Sequence, residues 1–140
     1  MSGAKDMEYL WRSNQKALGL TDEQVEEAKK DPERVRLIEQ SPELVRRKVV
    51  AEVVKAEHCV CHKVGDKIVF RPAGVLVKEE SCDHPCIYAL APLATLGYIL
   101  FDRIVEGVDP NQIHIPKIKC WDVGWENGGS GEILMKVTVQ

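Results

Sequence analysis

The sequence has no surplus of positive charge. Its 19 lysines and arginines stand against 22 acidic residues, for a net charge of −3. A general nucleic-acid binder gathers lysine and arginine on one face. The densest basic run here, Arg46-Arg47-Lys48, is too short to build one. Aromatic residues are few, and Trp11, Trp121 and Trp125 read as packing residues rather than as a stacking platform. No apolar run is long enough for a membrane. The longest uncharged stretch, residues 86–101, is interrupted by Pro92 and Gly97, whereas a span needs about 20 apolar residues. The first ten residues carry charges and lack the apolar core of a signal peptide, so the expected location is cytoplasmic. Residues 128–131, Gly-Gly-Ser-Gly, lack the Lys-Ser/Thr pair of a phosphate loop and lead into a strand. A nucleophile elbow, a dinucleotide fingerprint and an H-E-x-x-H pair are likewise missing.

What the chain does have is a local concentration of sulfur and imidazole. Four of its five cysteines and three of its four histidines fall in residues 58–86, as His58-Cys59-Val60-Cys61-His62 and then Ser81-Cys82-Asp83-His84-Pro85-Cys86. Five cysteines cannot pair completely within one chain. In a reducing cytosol they are thiols or metal ligands rather than disulfides. A chain of 140 residues is of single-domain size and does not need cysteines to staple it.

Hydrophobic periodicity and turn chemistry divide the chain into a helical N-terminal arm, residues 1–45, and a cysteine-containing α+β domain, residues 46–140. In the arm, Met7, Leu10, Trp11 and Leu18 lie near one helical stripe that Gly19 ends. Thr21-Asp-Glu-Gln24 is a capping box. Asp31-Pro32 and Ser41-Pro42 each open a further turn of helix with proline at the first position. The arm either packs on the main domain or docks on a second subunit. In the domain, strands are expected from about Lys48 to Glu57, at residues 67–70 and 75–77, near residues 113–121 as an edge strand, and at residues 132–139. A Lys63-Val-Gly-Asp66 turn separates the first two. Residues 86–101 read as one apolar helix, or two with a kink at Pro92. The expected fold is therefore α+β, a small antiparallel sheet on one long apolar helix. So apolar a helix needs cover on most sides, which implies a subunit interface.

On a strand, Cys59 and Cys61 share one face, with His58, Val60 and His62 on the other. Pro85 marks a helix start that sets Cys82 and Cys86 on one side of the first turn. The helix dipole there favours a thiolate at Cys86. Three readings follow. In the first, the ligands of zinc, iron or an iron–sulfur cluster are drawn from Cys59, Cys61, His62, Cys82, Cys86 and Cys120, with His84 nearby. In the second, Cys86 is a reactive thiol with His84 or His62 as proton acceptor. In the third, the cysteines fill core positions and the chain is an interaction module. The spacing is not a paired C-x-x-C…C-x-x-C, and the ligand set suits zinc and iron alike.

Residues 48–139 resemble an uncharacterised family of small bacterial and archaeal proteins of about the length of this segment. The resemblance rests on Cys59-Val-Cys-His-Lys-Val-Gly-Asp66, on a cysteine opening an apolar helix with a Leu-x-Pro step (Cys86-Ile-Tyr-Ala-Leu-Ala-Pro92), and on Cys120-Trp-Asp122 before the last strand. It implies that Cys59 or Cys61, Cys86 and Cys120 belong together. It implies no reaction. Cys61, Cys82 and residues 1–45 are additions to that pattern, and suggest a specialised member working as an oligomer or as the small subunit of a larger enzyme.

Overall fold

Four helices and four strands form in the computed structural model, which describes residues 6–140. The first five residues of the expected arm lie outside the described residues. Helix α1, Met7–Leu18, is capped by Asp6 and ends at Gly19 in the left-handed region. Helix α2, Asp22–Ala28, carries the capping box read from Thr21 and Gln24. Helix α3, Pro32–Arg46, is longer than expected, because it runs straight through Pro42. Proline removes the N–H that would bond the Ile38 carbonyl. The Ser41 hydroxyl takes that carbonyl instead, at 2.7 Å. The same hydroxyl accepts the Asn14 amide of α1 at 3.0 Å. Leu10, Trp11, Val25 and Ile38 make a small core of their own. Leu18, expected in the stripe, is 64% exposed, and Leu20 packs there in its place.

Strands β1 (Val49–Glu57), β2 (Lys67–Phe70), β3 (Lys117–Lys119) and β4 (Glu132–Val139) form one antiparallel sheet in the order β2-β1-β4-β3. β3 is an edge strand, as Pro116 suggests, though shorter than expected. The expected strand at residues 75–77 is reduced to one bridge, Phe70 to Leu76. Alternation sets Val49, Ala51 and Val53 of β1 on the same face as Ile133, Met135 and Val137 of β4.

Helix α4, Ile87–Val105, covers that face as a single helix of 19 residues. It is longer than the sequence suggests and, by length and composition, long enough to cross a membrane. In this fold Ala89, Leu93, Leu96, Leu100 and Ile104, at helical spacing, enter the core. α3 packs on α4, sending Leu44 into the same core and pairing Arg36 with Glu106 at 3.3 Å. Pro92 leaves the Tyr88 carbonyl without its helical donor. The Trp121 N–H fills that vacancy at 3.0 Å, tying the chain beyond β3 to the first turn of α4.

Candidate metal centre

The site lies where β1, β2 and the chain after β3 meet the start of α4. β1 ends at Glu57, and His58 turns the chain with a φ of 54°. Strand alternation therefore does not govern Cys59 and Cys61, and their expected placement on one strand face is corrected. Residues 58–62 instead fold back, so that the His62 N–H donates to Cys59 Sγ at 3.3 Å. The Lys63–Asp66 turn follows, with Gly65 at a φ of 95°. The Asp66 carboxylate accepts the Lys63 N–H at 3.1 Å and pairs with its ammonium at 3.1 Å. That backbone N–H first, and then the Lys63 side chain, hold the Asp66 carboxyl below the usual carboxylate range.

The start of α4 also differs from expectation. Cys86 is the N-cap rather than a first-turn residue, and Pro85 precedes it. Cys82 lies outside the helix, its N–H donating to the Lys67 carbonyl of β2 at 2.8 Å. The two thiols are thus not neighbours on a helix face. What relates them is His62. Its side chain is 1% exposed, and Nε2 accepts the Cys86 N–H at 3.0 Å. It satisfies the N–H of the N-cap residue, the donor that the N3 side chain takes in a capping box, while the Cys86 side chain makes no cap bond. An accepting Nε2 puts the ring proton on Nδ1, which faces Asp66 Oδ2 at 3.5 Å and Cys82 Sγ at 3.7 Å.

One group of possible ligands results, with further thiols nearby. The ligand atoms of His62, Asp66 and Cys82 lie within 4.8 Å of one another, a group that could hold a metal ion. The exposed Cys61 has the Cys86 and Cys59 thiols as its neighbours. Desolvation against them, and then their charge, raise the Cys61 thiol. Burial and the Asp66 carboxylate raise that of Cys82. Negative charge on Cys61 is opposed by its neighbouring thiols and that on Cys82 by the Asp66 carboxylate. A bound cation reverses that balance.

The remaining expected residues fall as follows. Cys120 stands at the end of β3, where its Sγ accepts the Ile133 N–H at 3.4 Å. The Trp121–Tyr88 bond holds it near the start of α4, but it is not in the group of His62, Asp66 and Cys82. The His84 ring is exposed, and only its backbone reaches Cys82. Nε2 of His62 is engaged by the Cys86 backbone N–H rather than by its thiol.

Two further residues frame the site and were not read as part of it. The Asp122 carboxylate accepts the Gly124 N–H at 2.9 Å and the Ser130 hydroxyl at 2.8 Å, closing the 122–130 loop. Gly131 then lies directly on the backbone of His58 and Cys59, with no room for a Cβ. Comparison with family models, curated proteins and solved structures returns no match for this chain.

Proposed function

We propose that this protein binds zinc or iron at the start of α4, through thiolates drawn from Cys59, Cys61, Cys82 and Cys86. The observation that carries this reading is the meeting of Cys82 with Asp66 and the buried His62 within 4.8 Å, with the Cys59, Cys61 and Cys86 thiols gathered nearby. Its supporting features are those of a thiolate site. The sulfur of Cys59 accepts the His62 N–H at 3.3 Å. Such donors stabilise negative sulfur and orient it. His62 serves as the strut between the Lys63–Asp66 turn and the start of α4. It is buried, held at both nitrogens, and fixed by Asp66 and by the α4 backbone. When bound, the metal would join the β1–β2 connection to α4. In a reducing cytoplasm these thiols would stay available to it.

The test is elemental analysis of protein purified without oxygen, with a visible spectrum, before and after chelation. The expected result is about one metal per chain, and a fall in melting temperature on its removal. Cys61→Ser and Cys86→Ser would lower the metal content, while Val60→Ala, at a fully exposed position, would not. Protein that holds no metal under these conditions, and whose stability is indifferent to chelator, would overturn the proposal.

A further inference from the structure

The outward side of α4 repeats its inward side in chemistry but not in cover. Ile87, Tyr88, Ala94, Thr95, Tyr98 and Ile99 are exposed, and Ala91 is half-buried. Ile87, Ala91, Ala94 and Tyr98 succeed one another at steps of four, three and four residues, so they form one stripe along the helix. No charged residue interrupts it before Asp102. Beside it runs a groove of about 550 Å³ between α4 and residues 70–76, walled by Phe70, Leu76, Leu90, Tyr98 and Phe101. Gly97 lets the Phe70 ring lie close against α4, since a Cβ there would stand 3.1 Å from it.

We propose that this face is a two-fold interface with a second copy of the chain, α4 crossing α4 at Ala91 and Ala94. Three features select a second copy over another partner. An isologous contact requires a surface complementary to itself. Here ridge and groove adjoin on one helix, so the ridge of each copy enters the groove of the other. The stripe is also symmetric about its middle. Large residues stand at both ends, Ile87-Tyr88 and Tyr98-Ile99, with small ones between, and this survives an antiparallel two-fold. Finally, the area is sufficient. Ile87, Tyr88, Tyr98 and Ile99 are 68, 59, 78 and 51% exposed, which offers on the order of 500 Å² of surface, most of it apolar. With the groove walls this approaches the ~800 Å² per partner of a stable interface. In the antiparallel crossing Asp102 points toward the amino end of the partner's helix, where its charge is favoured.

The inference is independent of any metal. Its test is sedimentation equilibrium of the full, reduced chain over a wide concentration range. The expected mass is twice the 15.7 kDa of one chain. Ala94→Arg, at the crossing, is expected to give a monomer with an unchanged circular dichroism spectrum. Val45→Arg, on the exposed side of α3, is expected to leave the dimer intact. Should Ala94→Arg fail to fold, Tyr98→Glu at a more exposed position makes the same comparison. A wild-type chain that is monomeric at every concentration, or a dimer indifferent to both Ala94→Arg and Tyr98→Glu, would overturn the proposal.

Discussion

Replacing Gly131 with alanine tests how the thiol loop is held. The added Cβ would lie under 3 Å from the His58 carbonyl oxygen and from Cys59 Cα and N. All three are backbone atoms, so no side chain can rotate to relieve the contact. Gly131 itself has an ordinary φ, which makes the effect purely steric. Restoring van der Waals separation requires β4 and the 58–62 turn to part by nearly an ångström. Overpacking of this kind costs about 1–3 kcal/mol. For a chain of this length that lowers the melting temperature by about 3–15 °C. The displaced segment carries Cys59 and Cys61, so metal affinity is expected to fall about tenfold or more. The comparison is Gly74→Ala, where φ is 104° and the surroundings are open. That substitution costs about 1–2 kcal/mol of backbone strain in a turn that holds no donor residue. Thermal denaturation and metal titration of both variants check the reasoning. It fails if Gly131→Ala melts and binds metal like the wild type, or if Gly74→Ala impairs metal binding equally.

Other consequences can be checked alongside. Leu93→Ala empties a fully buried position between α4 and the sheet and should cost about 2–5 kcal/mol in denaturant unfolding. His62→Ala removes the cap on the Cys86 N–H and should destabilise by about 1–3 kcal/mol; an unchanged denaturation midpoint would refute the strut role. Pro92→Ala returns an N–H to compete for the Tyr88 carbonyl, so hydrogen exchange at the Trp121 amide, which now holds that carbonyl, should accelerate. The Asp66 and Asp122 carboxyls are held low, first by the Lys63 and Gly124 N–H groups respectively. Their stabilisation is complete above the ordinary carboxylate value near 3.9 and is lost as pH falls through the lower folded value. Metal-free protein should therefore lose stability progressively below about pH 4, as acid titration by circular dichroism would show; a flat profile there would contradict these bonds.

The scaffold was legible wherever a single period dominates. β4 alternates buried and open positions along its whole length, and the apolar spacing of α4 survives Pro92. Pro42 does not open the new turn of helix expected of it, because its neighbour Ser41 satisfies the carbonyl it releases. The single helix through Pro92 is one of the two expected forms, and its freed carbonyl is met by Trp121, a partner not visible from local sequence. The site was legible as a cluster but not as a geometry. Nothing in Glu57-His58-Cys59 signals that a non-glycine residue will leave the strand at positive φ. The role of His62 depends on a helix that arrives 24 residues later. The Cys82–Cys86 spacing suggested a helix face, but Cys82 is pinned to β2 by its own N–H. Asp66 was read correctly as serving its turn, while its approach to His62 was not foreseen.

The most direct test of the metal centre is X-ray absorption at the metal edge, on anaerobically purified wild-type protein. A first shell dominated by sulfur at about 2.3 Å, reduced by Cys61→Ser and Cys86→Ser but kept in Asp66→Asn, is the expected result. A shell of oxygen and nitrogen alone, or one untouched by either cysteine substitution, would contradict a thiolate site at the start of α4.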